Sequence, residues 1–162
     1  MAQPKGYTRI QIGLHWLMAV LIVAMFLNED AIGHAYHSLM RDGSFEQSPL
    51  VAAHVFGGIA VLVLVVIRLA IKAKRGAPAL PENEPPLLKL AAQGAHLGLY
   101  GLMLLVPVAG LMAWFGQMGW AAELHEVMTT LLELLAILHV IGALYQHFYL
   151  KTDVLNRMRK PE

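Results

Sequence analysis

Four long apolar runs separated by short polar segments dominate the pattern of this chain. The first run covers residues 10–27 and has 18 positions without Asp, Glu, Lys or Arg; the others lie at about 50–71, 90–115 and 124–150. A helix needs roughly 20 apolar residues to cross the hydrocarbon core of a bilayer. Because that core offers no water to the backbone, such spans are helical. The pattern predicts an all-α integral membrane four-helix bundle, one domain over residues 1–162.

The segments between the runs predict loops. Residues 28–49 are polar, and we expect a loop there that holds a short helix at residues 32–40. The connector between the second and third runs is too rich in proline for a helix, with Pro78, Pro81, Pro85 and Pro86. A basic start before an apolar run is also typical of a signal peptide, but the length of the first run and the pair His15-Trp16 within it favour a span.

The basic residues collect on one side of the predicted bundle. Four spans leave both termini and the proline-rich connector on the same side. The basic residues of that side are Lys5, Arg9, Lys72, Lys74, Arg75, Lys89, Lys151, Arg157, Arg159 and Lys160. The loops of the other side carry only Arg41. Because positive loops stay in the cytoplasm, this asymmetry predicts that both termini are cytoplasmic.

Composition agrees with a membrane protein and excludes several kinds of site. The chain is 57% hydrophobic and 14% charged, whereas a soluble domain has about 25% charged residues. It has no cysteine, which excludes disulfides, iron–sulfur clusters and the covalent attachment of c-type haem. The positive charges lie at the ends of apolar runs, so we expect no nucleic-acid partner and instead a lipid bilayer around the chain.

Four histidines within the runs fall into two pairs by depth. His125 and His139 are 14 residues apart in the fourth run, so they share a helix face and lie about 21 Å apart along its axis. The predicted orientation puts His54 level with His125 near the outer face, and His15 level with His139 further in. Two imidazoles at one depth suit axial ligation of a haem iron. Zinc and plain packing are the alternatives, but zinc takes ligands that lie close together.

Several motifs resemble the prokaryotic cytochrome b-561 family. They are Leu14-His15-Trp16, Val66-Ile67-Arg68-Leu69 after His54, Ala95-His96-Leu97-Gly98-Leu99-Tyr100, His125-Glu126 with His139, and the closing Gln146-His147-Phe148-Tyr149, Lys151 and Leu155-Asn156-Arg157-Met158. The resemblance covers nearly the whole chain. It implies a four-helix protein of the bacterial inner membrane with two b-type haems. Carried over by position, the ligand pairs are His54 with His125 and His15 with His139.

Iron with two histidine ligands has no open position, so the expected function is electron transfer rather than oxygen binding. Arg68, His96 and His147 lie near the cytoplasmic ends of their helices, and we expect a quinone site among them; Arg68 alternatively neutralises a haem propionate. The resemblance to superoxide oxidases implies an oxidoreductase that passes electrons from superoxide outside to ubiquinone.

The outer loop leaves other donors and roles open. It carries Glu29, Asp30, Asp42 and Glu46 against Arg41, whereas a collector of superoxide should be positive. A periplasmic protein is therefore an alternative electron donor. A second alternative concerns the whole protein, which could be the haem-bearing membrane anchor of a larger respiratory complex of the hydrogenase or formate dehydrogenase type. If the chain binds no haem, the remaining alternatives are a metal transporter and a structural membrane protein. The pattern assigns no role to His34, His37 or Glu133.

Overall fold

The computed structural model describes residue 4 and residues 6–79 and 85–162 of the chain. Six helices follow one another: α1 (Arg9–Phe26), α2 (Glu29–Asp42), α3 (Pro49–Arg75), α4 (Pro86–Gly116), α5 (Gly119–Phe148) and α6 (Val154–Arg157). Helices α1, α3, α4 and α5 are long and apolar enough to cross a membrane. The prediction of an all-α protein with four spans is therefore confirmed. Lys5 and Pro81, which entered the sequence argument, lie outside the described residues.

A capping box starts α1 and ties its first turn to α3. The Thr8 hydroxyl accepts from the Gln11 backbone N–H at 3.2 Å, and the Gln11 side-chain oxygen accepts from the Thr8 backbone N–H at 3.0 Å. These bonds satisfy two donors that the helix start leaves free. Gln11 is buried and donates its amide to the carbonyl of Gly76 at 3.4 Å. The beginning of α1 and the end of α3 therefore lie at the same end of the bundle.

Helix α2 occupies most of the outer loop, where the sequence predicted only residues 32–40. Glu29 and Asp30 lie in its first turn, where the helix dipole favours negative charge. The helix ends at Gly43, whose φ of 69° is accessible to glycine without strain. Its amphipathic pattern buries Ala35, and α2 packs against α3. The loop is therefore a helix lying on the outer end of α3.

The spans pack in chain order. Helix α1 packs on α3, α3 on α4 and α4 on α5, whereas the backbone of α5 hardly approaches α1 or α3. Two glycines mark close packing: a Cβ at Gly57 would lie 2.5 Å from Cε of Met25, and a Cβ at Gly98 would lie 2.8 Å from Cδ2 of Leu135. Gly57 thus serves the packing of α1 on α3. The large apolar side chains outside these contacts point outward, as lipid requires.

Both terminal segments and the α3–α4 connector meet at one end of the bundle. The Glu162 backbone N–H donates to the carbonyl of Tyr7 at 3.0 Å, which joins the two terminal segments. The Arg157 guanidinium donates to the carbonyl of Ala79 at 2.7 Å, which joins α6 to the connector. We call this the inner end, and the end with α2 the outer end. The cytoplasmic location of the inner end remains a prediction from charge.

Candidate functional site

Two pairs of histidines lie side by side between helices. At the outer end, the rings of His54 on α3 and His125 on α5 have centroids 6.3 Å apart. Toward the inner end, the rings of His15 on α1 and His139 on α5 also have centroids 6.3 Å apart. These are the pairs that the sequence placed at common depths. Helix α5 therefore contributes one member to each pair, and the other member comes from a different helix each time.

The separation within each pair has a chemical meaning. Two imidazoles on opposite sides of one metal ion have centroids about 6 Å apart, with about 2 Å for each metal–nitrogen bond and about 1 Å from each nitrogen to its ring centre. A direct N–H···N hydrogen bond would bring the centroids to about 5 Å. Both observed separations are 6.3 Å. They match the spacing of two axial ligands better than that of two hydrogen-bonded rings.

The backbone of α5 stays apart from α1 and α3, the helices that carry the other histidine of each pair. Helix α5 meets α1 and α3 through histidine side chains, while its backbone packs closely on α4 and α6 instead. Among the described residues, no group of three or more His, Cys, Asp or Glu is arranged to hold a metal ion. Each pair thus offers two imidazoles and no third protein ligand. That donor set fits a metal whose other ligands come from a porphyrin.

His125 is held by hydrogen bonds at its ring and at its backbone. Its Nδ1 lies 2.8 Å from the carbonyl oxygen of Val106 on α4. A carbonyl only accepts, so Nδ1 carries the proton and Nε2 keeps its lone pair for a metal. The Thr129 hydroxyl donates to the His125 carbonyl at 2.7 Å. His54 differs, because its buried Nδ1 has no hydrogen-bond partner among the described residues.

A cationic and aromatic cluster lies beside the inner pair. The ring of His96 has its centroid 5.3 Å from that of His139. Arg68 donates from Nε to the Tyr100 hydroxyl at 3.0 Å, and its charge acts on both His96 and His139. The Lys72 ammonium lies 4.7 Å from the centre of the Tyr100 ring. The predicted neighbours Arg68 and His96 are therefore close to the inner pair.

Tyr100 and Lys72 belong to this cluster and were not predicted as site residues. Tyr100 follows His96 by four positions on α4, so the two side chains share a helix face. That spacing was the available signal. His147, by contrast, packs its ring on Phe148 with centroids 4.8 Å apart. Among the described residues, no contact joins His147 to Arg68 or His96, so the predicted trio is brought together only in part.

Tyr7 lies at the inner rim of the same cluster, before the start of α1. Burial raises the pKa of its phenol above the ordinary value, and the neighbouring Tyr100 adds to the rise. The charges of Arg68 and Arg157 act in the opposite direction and are the smaller effects. Tyr7 is therefore a neutral hydrogen-bond donor at physiological pH.

The outer end is acidic. The loop carboxylates Glu29, Asp30, Asp42 and Glu46 are joined by Glu123 and Glu126 in the first turns of α5, and all six are exposed. Arg41 is the basic residue of this end among the described residues, and it pairs with Asp42 at 2.9 Å. An anion approaching the outer pair therefore meets a negative surface.

The fold and the paired imidazoles are those of a membrane cytochrome, and comparisons with known proteins agree. Residues 6–161 match the family described as Prokaryotic cytochrome b561. Cytochrome b562 of Cereibacter sphaeroides is 37% identical over 167 residues, covering 99% of each chain. Cytochrome b561 homolog 2 of Escherichia coli is 28% identical, covering 96% of this chain and 92% of its own. Probable superoxide oxidase CybB of Yersinia pestis is 26% identical, covering 95% of this chain and 96% of its own.

The chain belongs to the prokaryotic cytochrome b561 family. The family implies b-type haem and electron transfer, and with four spans it identifies a multi-pass protein of the bacterial inner membrane. The resemblance seen in the sequence is thereby confirmed.

Proposed function

We propose that the chain holds two b-type haems, one between His54 and His125 and one between His15 and His139, and transfers electrons across the membrane. The separation of 6.3 Å in both pairs supports this assignment. A bound haem supplies an iron that accepts and releases single electrons. The two imidazoles of each pair would both be used to hold the haem iron, which would leave no position for a substrate at the metal. The pairs are therefore relays rather than catalytic centres.

The proposed acceptor is ubiquinone, bound at the inner end beside His96 and Arg68. Quinone reduction takes up protons as well as electrons, so it needs polar groups near the inner pair. The Arg68 guanidinium is fixed by the Tyr100 hydroxyl at 3.0 Å and by the carbonyl of Gln11 at 3.5 Å. It offers a cation to a quinone oxygen or to a haem propionate. His147 remains a predicted member of this site.

The proposed donor reaches the outer pair from the periplasm. The name of the Yersinia pestis relative is that of a superoxide oxidase, which makes superoxide one donor to consider here. The acidic outer end repels an anion and attracts a positively charged electron carrier. A periplasmic donor protein with a basic surface therefore fits the charge of this chain better than superoxide does.

A haem count with single histidine variants tests the two sites. The protein purified in detergent is expected to bind two haems per chain and to show the reduced-minus-oxidised spectrum of low-spin b haem. His54→Ala and His15→Ala should each lose one haem. His37→Ala is the matched control, because His37 is an exposed histidine on α2, and it should keep both. A protein that binds one haem or none would contradict the assignment.

Quinone reduction by the isolated protein distinguishes the two functional alternatives. A stand-alone oxidoreductase should reduce ubiquinone when superoxide or a chemical donor is supplied. A haem-bearing anchor of a hydrogenase- or formate dehydrogenase-type complex should bind haem but stay inactive without its partner. The exposed carboxylate Glu133 in the middle of α5 favours a protein neighbour in the membrane, which keeps the anchor as the second candidate.

A further inference from the structure

The ring of His125 lies against the backbone of α4 at Gly110. A Cβ at Gly110 would lie 2.9 Å from Cε1 and 3.0 Å from Nδ1 of His125. Real Cβ atoms essentially never approach another heavy atom within 3.0 Å. The ring is short and stiff, so it could not move aside as the end of a long side chain does. Only glycine at this position lets His125 lie where it does.

The same helical turn supplies the hydrogen-bond acceptor. Val106 precedes Gly110 by four residues, so its carbonyl points along the helix toward Gly110. The carbonyl oxygen accepts from Nδ1 of His125 at 2.8 Å, using its second lone pair. Val106 is itself buried, which keeps water from competing for that oxygen. The gap at Gly110 and the acceptor at Val106 therefore act on the same edge of one imidazole.

We propose that residues 106–110 of α4 form a notch that positions His125 for metal ligation. The notch fixes the protonated nitrogen, the ring plane and the distance of the ring from α4. Outer-shell hydrogen bonds of this kind raise the basicity of a ligating imidazole and strengthen its bond to the metal. The inference rests on the proposed haem ligation, and it assigns a positioning role to two residues that touch no substrate.

The notch makes the two ligands of the outer pair unequal. His125 is bonded through Nδ1 to protein backbone, whereas the buried Nδ1 of His54 has no partner among the described residues. His125 should therefore be the more basic and more firmly oriented ligand. Losing the notch should weaken haem binding at the outer pair and raise its reduction potential, because a less basic ligand favours the reduced metal. The inner pair should not change.

Gly110→Ala in the haem-loaded protein tests the notch against two matched glycines of the same helix. Gly98→Ala introduces an equally close contact, because its Cβ would lie 2.8 Å from Cδ2 of Leu135. This variant disturbs the α4–α5 packing without touching a histidine. Gly101→Ala meets nothing within 4 Å. The measurements are haem per chain, a redox titration that resolves the two haems, and the low-spin ferric electron paramagnetic resonance signals.

Gly110→Ala should lower the affinity of the outer haem by about 10-fold or more, raise its potential and change its low-spin signal, while the inner haem keeps its own values. Gly98→Ala and Gly101→Ala should keep both haems with unchanged potentials. A Gly110→Ala protein that matches Gly101→Ala in all three measurements would overturn the proposal. His125→Ala separates the two claims: if it loses one haem while Gly110→Ala changes nothing, the haem assignment stands and the notch falls.

If the Gly110→Ala protein does not fold or cannot be purified, a measurement on the unaltered protein tests the hydrogen bond between His125 and Val106. In the ferric protein, paramagnetically shifted proton spectra should show one Nδ1 proton of the outer pair that exchanges slowly with solvent, assigned to His125 by nuclear Overhauser effects to protons of residues 106–110. Rapid exchange of that proton would contradict a buried hydrogen bond to Val106 and would overturn the notch.

Discussion

Arg68 is the residue on which the inner end is arranged. Its Nε donates to the Tyr100 hydroxyl at 3.0 Å and its Nη1 lies 3.5 Å from the carbonyl of Gln11. A guanidinium inside a span is costly unless its protons are satisfied. Within the described part of the chain, protein hydrogen bonds engage two of its nitrogens, which leaves N–H donors for an anionic or carbonyl ligand. Because Arg68 lies near His96 and His139, the ligand in the proposed function is a haem propionate or a quinone.

Arg68→Gln should slow electron transfer to quinone without removing a haem. The variant keeps a polar side chain but loses the charge, so quinone turnover should fall by roughly 10-fold, the scale of a lost charged hydrogen bond. Steady-state reduction of ubiquinone, with haem per chain measured on the same sample, checks this. Arg75→Gln, at the exposed end of the same helix, is the control and should keep full turnover. Loss of the inner haem in Arg68→Gln would instead assign Arg68 to a propionate.

The Tyr7 phenol should make stability depend on pH in alkaline solution. Its pKa is raised in the folded protein, chiefly by burial. At a pH between the ordinary pKa of 10.0 and this raised pKa, the unfolded chain has released a proton that the folded chain retains. Stability is therefore full below about pH 10 and falls as the pH rises further. Melting temperatures between pH 9 and pH 11 should show a smaller decline for Tyr7→Phe than for the unaltered protein. Tyr149→Phe, an exposed tyrosine, should behave like the unaltered protein.

The sequence predicted the histidine pairs because they depend on helical periodicity and on span direction alone. His54 and His125 share a depth whatever the rotation of their helices, and so do His15 and His139. The contact of Arg68 with Tyr100 depends on how α3 and α4 are rotated against each other. Side-chain packing sets that rotation, and the apolar pattern of a membrane span does not encode it.

At the scale of helices, α5 is the central element, because it carries one histidine of each pair. Its His125 and His139 lie on one face, while Glu133 lies about 80° around the helix from His125. Glu133 is exposed in the middle of the span. The sequence assigned no role to Glu133, and the structure has its side chain on the outside of the bundle. Among the described residues, no salt bridge engages it.

Glu133→Leu should stabilise the isolated protein. A carboxylate at the centre of a span costs about 2.5–3.5 kcal/mol on insertion scales, and leucine removes that cost on a surface that already carries Leu131, Leu134 and Ile137. The melting temperature of the haem-loaded protein in lipid nanodiscs should therefore rise. Val140→Leu, also exposed on α5, is the control and should leave it unchanged. A lower melting temperature would show that Glu133 is engaged, for example by a second chain.

The helix ends show how far a pattern of apolar residues defines an element. The sequence put the second span at residues 50–71 and the third at 90–115, whereas α3 continues to Arg75 and α4 begins at Pro86. Helices outlast their apolar runs because backbone hydrogen bonds continue into polar residues at the membrane surface. The basic end of α3 is stabilised by the helix dipole, and Gly76, with a φ of 82°, ends it. Proline at the first position of α4 is compatible with a helix start, so the assignment of Pro86 to the connector was wrong and Pro86 belongs to the helix.

At the scale of the whole molecule, charge divides the two ends of the bundle. The inner end gathers both terminal segments, the connector and nearly all the lysines and arginines, while the outer end is acidic. The same asymmetry predicts how the chain is oriented in the membrane and, in the proposed function, which charge a donor meets. A basic carrier protein would be attracted to the outer end, and increasing salt would weaken that attraction.

Reporter fusions should find both termini in the cytoplasm. Fluorescent protein at the C-terminus should be bright, since it matures in the cytoplasm, whereas alkaline phosphatase there should be inactive. Alkaline phosphatase inserted in residues 43–48, between α2 and α3, should be active, because that loop lies at the opposite end of the bundle. If the lysines and arginines near the span ends set this orientation, replacing Lys72, Lys74 and Arg75 together by glutamine should reduce the difference in phosphatase activity between the two fusion sites. Active phosphatase at the C-terminus of the unaltered chain would reverse the assignment of both faces, and with it the roles of the acidic end as donor side and of the Arg68 cluster as acceptor side.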